Sequence, residues 1–264
     1  MALINQIRAS ISPVEGVYYL EKPDVSFEEI YIKLRKTEGR LYNDDEVKNL
    51  PKINISHKYY NEWLIRRHSA MKLIKYLGKN PGNKTVFELG CGNGWLSNMI
   101  ADSKNTEVIG MDINITELEQ AARVFHDKTN LIFIYGNVLN IPSSVNFKFD
   151  YLILPSVIAY FAEPALLIDS LLNILNDSGE IHIIDSPFYT NKYDAKQRTI
   201  NYYNELGFPE MSGQYHHHSL RDLEKYNYTT LYNSNTILNK IKRRFGKTLS
   251  PFPWVRIKKH LDRD

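Results

Sequence analysis

Short apolar runs alternate with amphipathic stretches through the middle of the chain. The apolar runs predict strands, and the stretches between them carry apolar residues at helical spacing. The predicted strands are 85–90, 107–112, 131–136, 149–155 and 180–185, and the predicted helices are 94–104, 115–126 and 163–176. Strands that are apolar almost throughout and alternate with helices are typical of a parallel sheet covered on both faces. The pattern therefore predicts an α/β domain.

Weaker patterns flank this block on both sides. The elements predicted there are helices at 58–78, 194–206 and 235–245, a short helix from Leu220, and strands at 228–232 and 253–258. The first part of the chain mixes scattered aromatic residues with charge, and it predicts a short helix over 26–36 followed by an extended, polar connector over 38–57. We interpret residues 1–57 as a cap segment packed on a main domain that spans 58–264.

A glycine-rich turn follows the first strand of the central block. The sequence VFELGCGNGWLS (86–97) ends an apolar run at Glu88 and then has glycine at positions 90, 92 and 94. Glycine permits positive φ, and without a Cβ a ligand can approach the backbone closely. The dinucleotide pattern G-x-G-x-x-G would need a third glycine where Trp95 stands. The turn predicts a ligand site and disfavours a nicotinamide or flavin dinucleotide as its ligand.

Glu88 narrows the nature of the ligand. A carboxylate near the end of an apolar strand is costly to bury unless a cation compensates its charge, and a ligand with an ammonium group would supply that cation. The combination of Glu88, Gly90, Gly92 and Gly94 resembles motif I, (D/E)-x-G-x-G-x-G, of the class I S-adenosylmethionine (SAM)-dependent methyltransferases. The resemblance implies a Rossmann-like, doubly wound, mostly parallel sheet of seven strands, completed by 228–232 and 253–258. SAM would lie across the carboxyl ends of the strands.

The resemblance also assigns cofactor-binding residues. Asp112 follows Glu88 by 24 residues, near the separation at which an acid binds ribose hydroxyls in nucleotide-binding βαβ units. After the third strand the family has an acid for the adenine amine, and here Asn137 stands in its place with an oxygen that can accept the same bond. Glu88 would face the methionine ammonium, and the Val138 amide the adenine. The set expected to bind SAM is Glu88, Gly90, Cys91, Gly92, Asn93, Gly94, Asp112, Ile113, Asn137, Val138 and Leu154.

Methyl transfer from a sulfonium needs few catalytic groups. It is an in-line displacement, so the enzyme mainly aligns the acceptor and excludes water. An acceptor that loses a proton would benefit from a base near the methyl group. The expected candidates are Asp185, Tyr189 and His217, with Tyr160, His216 and His218 as alternatives. The mid-strand position of His182 favours a hydrogen-bonded core histidine.

Two other interpretations of these residues are disfavoured. Adjacent residues on a strand point to opposite faces, so the three histidines at 216–218 make a poor chelate, and we predict no metal site. The sequence DSPFY at 185–189 is similar to the (D/N)-P-P-(Y/F) motif of amino-methylating DNA enzymes. That motif follows the fourth strand, whereas DSPFY follows the fifth, so DNA methylation is disfavoured.

Composition is that of an ordinary globular chain, with 43% hydrophobic and 24% charged residues among 264. The N-terminus lacks a signal-peptide pattern, no apolar run reaches transmembrane length, and Cys91 is the single cysteine, so we predict a cytoplasmic protein without a membrane span or a disulfide. A net charge of +3 does not indicate a nucleic-acid partner. Basic residues between 240 and 263 could meet an anionic substrate, RNA or a membrane surface, although a solvated helix surface explains them more simply.

The leading hypothesis is a SAM-dependent methyltransferase that methylates an O, N or C atom of a small molecule. The compact, aromatic cap suits enclosing a metabolite, with Tyr42 or a neighbour facing the acceptor, and an arm on the back of the sheet is the alternative. An RNA or protein methyltransferase that uses the basic C-terminal face, and a non-catalytic SAM-binding module, stay open. The sequence leaves the acceptor and the oligomeric state undetermined.

Overall fold

A computed structural model of the chain describes residues 2–141, 147–246 and 248–259. The strands are β1 Val17–Tyr19, β2 Lys84–Leu89, β3 Thr106–Asp112, β4 Leu131–Tyr135, β5 Phe149–Pro155, β6 Leu175–Ile184, β7 Tyr228–Tyr232 and β8 Trp254–Lys258. The α-helices are α1 Ala2–Ser10, α2 Val25–Glu38, α3 Asp44–Asn49, α4 Tyr60–Leu77, α5 Trp95–Ala101, α6 Ile115–Val124, α7 Pro164–Asn173, α8 Lys192–Leu206 and α9 Ile237–Arg244. Short 3₁₀ turns include Pro209–Gln214 and Leu220–Leu223.

Among the residues so described, eight strands form one sheet in the order β1-β4-β3-β2-β5-β6-β8-β7. Neighbours from β1 to β6 are parallel, and β8 runs antiparallel to both β6 and β7. The chain proceeds from β2 outward through β3 and β4 and then returns to β5, so the order reverses between β2 and β5. Ligands of open α/β sheets bind at such a reversal. The predicted α/β, Rossmann-like sheet is confirmed, and all seven expected strands form.

The eighth strand, β1, was not expected from the sequence. Its three residues pair in parallel with β4, from Val17 opposite Phe133 to Tyr19 opposite Tyr135. A segment so short has no readable alternation, which is why its pattern gave no strand signal. The sheet is therefore one strand wider than the seven predicted.

Successive residues of the central strands point to opposite faces and build two cores. Phe87 and Ile109 belong to the core on the face covered by α1 and α7, whereas Val86 and Val108 belong to the core under α4, α5 and α6. A third, small cluster joins Leu34 of α2 to residues of α8 and the following turn. The two main cores hold the parallel strands in register, so that their carboxyl ends form a fixed edge.

Residues 1–57 contribute to the molecule in two ways. One face of α1 packs Ile4 and Ile7 into the first core, and β1 extends the sheet. The later part of the segment, from α2 onward, runs along the carboxyl edge. The predicted extended connector is wrong over Asp44–Asn49, which form α3, because Asn43 and Glu46 make a capping box that starts a helix there. No helix within the described part of the chain is both long and apolar enough to cross a membrane.

Candidate active site

A cavity of about 530 Å³ opens at the carboxyl edge of the parallel strands. Its floor consists of residues that end or directly follow β2, β3, β4 and β5, and its wall comes from α2, α4 and the segment that links α2 to α3. Cavities that bind small ligands commonly measure about 300–1,000 Å³. The topological reversal and the cavity therefore coincide.

The turn between β2 and α5 takes a conformation that requires glycine. Gly90, Gly92 and Gly94 have φ angles of 72°, 50° and 73°, a region that other residues rarely adopt. A Cβ on Gly90 would lie 2.5 Å from Cγ2 of Val157, and one on Gly94 would lie 2.6 Å from Cζ of Phe133. The positive φ angles favour glycine at all three positions, and close packing excludes a Cβ at Gly90 and Gly94.

Asp112 ties this turn to the end of β3. Its carboxylate accepts hydrogen bonds from the backbone amides of Gly92, Ile113 and Asn114 at 2.8, 2.7 and 2.9 Å. The side chain also lines the cavity. Burial raises the pKa of Asp112, although the three amides act in the opposite direction. Because each carboxylate oxygen has two lone pairs, acceptor capacity is left for a ligand hydroxyl.

Glu88 lies behind the turn rather than in the cavity wall. Its side chain is 1% exposed and accepts a hydrogen bond from the Ser97 hydroxyl of α5. Burial, together with the nearby charge of Asp112, raises its pKa to about 8. A cation delivered to the turn would favour the ionised form of this carboxyl group.

Glu117 is a third acid at this end of the cavity. It lines the cavity and accepts a hydrogen bond from Nδ2 of Asn114 at 3.2 Å. Burial and the charge of Asp112 raise its pKa to about 7. Across the residues that the structure describes, Glu88, Asp112 and Glu117 make no ion pair. Three acids without an ion pair, beside a glycine turn, fit a ligand that carries positive charge, as SAM does with its sulfonium and ammonium groups, although the charge of Arg35 also reaches Glu117.

The residues after β4 close the neighbouring part of the floor. Asn137 and Val138 both line the cavity. The side-chain oxygen of Asn137 accepts a hydrogen bond from the Leu139 backbone amide at 3.0 Å, and the backbone amide of Asn137 donates to Glu21 at 2.5 Å. Glu21 also accepts from Nδ2 of Asn140 at 3.0 Å. The family has an acid where Asn137 stands. Glu21, in the turn after β1, places a carboxylate beside that position.

Glu28 fastens α2 to the floor of the cavity. Its carboxylate is 6% exposed and accepts hydrogen bonds from the amides of Ile115 and Thr116 and from the Thr116 hydroxyl, at 3.2, 2.8 and 2.6 Å. These are amides of the first turn of α6, which no residue within that helix can satisfy. A negative charge at a helix N-terminus is also favoured by the helix dipole. The N-terminal segment is therefore held to the floor by a specific, buried contact.

Aromatic residues form one wall. The indole N–H of Trp63 donates to the Tyr42 hydroxyl at 2.8 Å, and the Trp63 ring meets Trp95 edge-on with centroids 5.3 Å apart. All three side chains line the cavity. Tyr42 belongs to the predicted cap, Trp63 to α4 and Trp95 to the start of α5, so the wall joins three separate parts of the chain.

Beside this wall the charge of the cavity becomes positive. Arg35, Arg40 and Arg66 line it. Arg40 binds Glu62 through two hydrogen bonds of 2.9 and 2.7 Å, and Nε of Arg66 donates to the same carboxylate at 3.0 Å. These arginines, despite burial, lower the pKa of Glu62 to about 2. Arg35 pairs with Glu38 at 2.9 Å. Three guanidinium groups share two carboxylates, which leaves an excess positive charge.

Two tyrosines complete the enclosure. Tyr160, from the turn after β5, and Tyr31, from α2, line the cavity on facing elements. Burial raises the pKa of each phenol, so both stay protonated at neutral pH and can donate hydrogen bonds. Ser156, which precedes this turn, has a φ of 57° without being glycine. Such strained residues cluster at functional sites.

Most of the predicted SAM-binding residues line the cavity, whereas the predicted catalytic residues do not. Gly90, Cys91, Gly92, Asn93, Asp112, Ile113, Asn137 and Val138 line the cavity. Glu88, Gly94 and Leu154 lie directly behind its lining, with Leu154 fully buried in the core. The three proposed catalytic residues lie elsewhere. Asp185 accepts hydrogen bonds from Ser69 and Ser250 beside a separate space of about 20 Å³, Tyr189 lines a third pocket, and His217 contacts Thr199 at 2.8 Å.

The histidine triplet supports the turn that carries Tyr160. The amide of His216 donates to the Ala159 carbonyl at 2.7 Å. Nε2 of His218 is 3.2 Å from the Ile158 carbonyl and 3.0 Å from the Phe161 carbonyl, and burial lowers the pKa of this imidazole. Among the described residues no group of three His, Cys, Asp or Glu side chains is placed to hold a metal ion.

His182 is the core histidine that its position predicted. The indole N–H of Trp254 donates to its Nδ1 at 3.0 Å, and its Nε2 lies 3.2 Å from Glu180. Since Nδ1 accepts, Nε2 carries the proton and donates to the carboxylate. Both ring nitrogens are satisfied, which confirms the prediction.

Several lining residues were missed by the sequence-based assignment: Glu28, Tyr31, Arg35, Arg40, Glu62, Trp63, Arg66 and Glu117. One signal was available, because Glu62 and Arg66 lie one turn apart on a helix, beside Trp63 of its apolar stripe. Glu117 follows the N-cap Asn114 by three residues. This spacing indicates the start of a helix, but it does not tell that the Glu117 side chain faces a cavity. The others depend on where α2 docks, which no local pattern states.

The fold, the glycine turn and the acids beside it define a class I, Rossmann-like methyltransferase whose methyl donor is SAM. The family described as "Methyltransferase domain" matches residues 80–237, and the chain belongs to that family. An uncharacterized methyltransferase of Staphylococcus carnosus is 29% identical over 156 residues, which are 58% of this chain and 67% of that protein.

Two further proteins are similar to this chain, one in sequence and one in fold. The tRNA U34 carboxymethyltransferase of Campylobacter fetus is 27% identical over 115 residues, so the match spans 42% of this chain and 40% of that enzyme. Among solved structures, magnesium protoporphyrin IX methyltransferase from Synechocystis, with bound SAH, has a TM-score of 0.56 at 14% identity. The superposition covers 88% of this chain and 96% of that one. At this identity the likeness is one of fold.

Proposed function

We propose that the protein transfers the methyl group of SAM to a small molecule held between the SAM site and the wall formed by Tyr42, Trp63, Tyr31 and Tyr160. One observation carries the proposal: the glycine turn and these aromatic side chains line the same cavity. A macromolecular acceptor would need an open approach, whereas here α2 is fastened across the floor by Glu28.

The SAM site in this proposal follows the residues that line the floor. Asp112 would accept a ribose hydroxyl with the one lone pair, on Oδ2, that its three amide contacts leave free. Ile113 and Val138 would pack on the adenine, and the Asn137 oxygen, with Glu21 beside it, would supply acceptors for the adenine amine. Glu88 would stabilise the ammonium group from behind the turn, through the field of its carboxylate or a bridging water.

SAM supplies an activated methyl group on a sulfonium, and the chain's own residues align the acceptor and exclude water. The aromatic wall offers apolar area for packing. The protonated hydroxyls of Tyr31 and Tyr160 would orient an acceptor oxygen or nitrogen by donating hydrogen bonds to it. Since Asp185, Tyr189 and His217 lie outside the cavity lining, we propose that alignment rather than a general base from these positions carries the reaction.

The test is to follow a labelled methyl group. The protein is incubated with SAM carrying a tritiated methyl group and an extract of its source organism, which is then separated into small molecules, RNA and protein. The proposal expects label in the small-molecule fraction, resistant to nuclease and protease, and lost with Asp112→Ala but not with Asp127→Ala, a change at an exposed acid.

Two results would overturn the proposal in different ways. Label in the RNA fraction would favour the RNA-directed alternative, which the tRNA-modifying relative supports. Binding of S-adenosylhomocysteine, measured by calorimetry, without label in any fraction would indicate a non-catalytic SAM-binding module.

A further inference from the structure

The C-terminal part of the chain carries an unbalanced positive charge. Between Lys225 and Leu261 the sequence has nine Lys and Arg residues and no Asp or Glu, although the whole chain contains 30 acids. The cations on β8 and the residue after it are ion-paired, with Glu180 or Asp177 as their partners. The uncompensated charge is therefore concentrated on α9.

The cations of α9 differ from those of β8 in this respect. Lys240, Lys242 and Arg244 make no ion pair with any residue that the structure describes. Burial, and after it the nearby charge of Lys242, lowers the pKa of Lys72. Like charges held together without counter-charges favour an anionic partner.

The same helix exposes large apolar side chains. Ile237, Leu238, Ile241 and the C-cap residue Phe245 are 78%, 60%, 46% and 81% exposed, and α9 has no buried residue. Four such side chains on one short helix form a patch, whereas the other exposed apolar residues of the chain are scattered over different elements. Contiguous exposed apolar patches mark interaction sites.

Helix geometry gathers these side chains on one face. With about 100° between successive residues, the four apolar side chains fall within an arc of roughly 100°. Lys242 and Arg244 then flank this arc, one on each side. The result is an apolar stripe bordered by cations.

The opposite face of α9 is attached to the body of the protein. Nδ2 of Asn239 donates to the Asn233 carbonyl at 2.8 Å, and the Arg243 guanidinium donates to the carbonyls of Ser234 and Ser250 at 2.8 and 3.2 Å. These contacts turn the apolar stripe away from the protein. The apolar stripe therefore faces outward and does not pack against the core of the protein.

We infer that α9 docks this protein on an anionic lipid bilayer, with the apolar stripe inserted among the headgroups and the flanking cations on the lipid phosphates. Amphipathic helices with this arrangement lie in the interface with their apolar face buried roughly 5–10 Å deep. The four exposed aliphatic and aromatic side chains distinguish this surface from one for RNA, where phosphate contacts come from cations and aromatic rings stack on bases. The inference concerns α9 alone and does not depend on the acceptor.

The test is vesicle flotation with the full chain. Vesicles of phosphatidylcholine alone are compared with equimolar phosphatidylcholine and phosphatidylglycerol. We expect binding to the anionic vesicles only, weakened when ionic strength rises from about 0.1 M to about 1 M, because the Debye length shrinks from about 10 Å to about 3 Å. Ile237→Asp/Ile241→Asp should lower the partition coefficient on the order of a hundredfold.

Matched variants separate the stripe from general surface effects. Ile55→Asp/Leu166→Asp changes two exposed apolar residues elsewhere, at 77% and 52% exposure, and should leave binding unchanged. Lys240→Gln/Lys242→Gln/Arg244→Gln should reduce binding on the order of a hundredfold, since each cation near an anionic surface contributes about tenfold or less. An unchanged thermal shift with S-adenosylhomocysteine verifies that every variant is folded.

Three outcomes would overturn the inference. They are no binding to anionic vesicles, equal binding to neutral and anionic vesicles, and equal loss of binding in the Ile55→Asp/Leu166→Asp control. If vesicles do not bind, gel filtration and the anisotropy of a fluorescent RNA identify the occupant as a second copy of the chain or as RNA. None of these results bears on the methyl acceptor, so the proposed function stands or falls separately.

Discussion

The Gly92 amide donates a hydrogen bond to the Asp112 carboxylate at 2.8 Å. The acid expected to bind the ribose therefore also holds the glycine turn in place, and the ends of β2 and β3 form one unit. Three amides converge on this carboxylate, so hydrogen bonds within the chain hold the floor of the cavity in place. Pre-organised polar groups reduce the entropy lost on binding.

Replacing Asp112 by alanine should weaken S-adenosylhomocysteine binding by about 1–3 kcal/mol, because a charged hydrogen-bond acceptor is lost. The Gly92 amide loses its partner as well, so part of this loss reflects a looser turn. Isothermal titration calorimetry measures it, with Asp127→Ala as the control at an exposed acid. Equal affinities of the two variants would show that Asp112 serves the turn alone.

Replacing Gly94 by alanine should destabilise the fold by about 2–5 kcal/mol. The αL conformation costs about 1–2 kcal/mol for a residue with a Cβ, and overpacking adds about 1–3 kcal/mol. The added Cβ would lie 2.6 Å from Phe133 and 2.9 Å from Ala121. Urea unfolding measures the loss.

Gly207 provides the control for backbone strain. It has a φ of 81°, and a Cβ built there meets no heavy atom within 4 Å. Gly207→Ala should therefore cost only the αL term of about 1–2 kcal/mol. A Gly94→Ala variant no less stable than Gly207→Ala would contradict the packing argument.

The pKa of Glu88 makes the stability of the ligand-free protein depend on pH. In the folded state the pKa is about 8, against an ordinary value of 4.5, because burial penalises the charge. Between these values the folded protein binds more protons than the unfolded chain, so the free energy of unfolding falls as pH rises through that window. Glu88→Gln should remove this contribution and stabilise the protein at pH 8 by a few kcal/mol.

Thermal melts of wild type and Glu88→Gln at several pH values test this difference. Burial also raises the pKa of Asp112 and Glu117, so the variant keeps part of the slope and only the difference between the two curves reports Glu88. Parallel curves would refute the role of Glu88. The same variant should bind SAM more weakly, since a neutral amide cannot compensate a cationic ligand.

The docking of α2 depends on Glu28. Glu28→Ala removes the acceptor for two amides and a hydroxyl at the start of α6, and should cost about 1–2 kcal/mol of stability. The neighbouring Glu29 is exposed and makes only a surface ion pair with Lys33 at 3.9 Å, so Glu29→Ala should cost less than about 0.5 kcal/mol. Chemical denaturation of both variants distinguishes the contacts, and similar losses would exclude a special role for Glu28.

The predicted catalytic residues lie on the carboxyl edge of the sheet but away from the cavity lining. The sequence predicts Asp185, Tyr189 and His217 at the site because the carboxyl ends of parallel strands share an edge. The edge is wide, however, and β6 lies one strand further from the reversal than β5. Asp185 therefore turns to Ser69 and Ser250, while the cavity is bounded by Tyr160 after β5.

The sequence by itself determined the parallel sheet, its five central strands and the glycine turn, because these follow from local periodicity and from the φ angles that only glycine takes freely, whereas the place of β7 and β8 in the sheet was implied by the family resemblance. It also placed Asp112 at the floor of the cavity, since the length of a βαβ unit fixes where its second strand ends. Only the tertiary structure decided the wall. The positions of Glu28, Arg35 and Arg66 at the cavity depend on how α2 and α4 pack across the edge, and such contacts between distant segments leave no periodic trace in the chain.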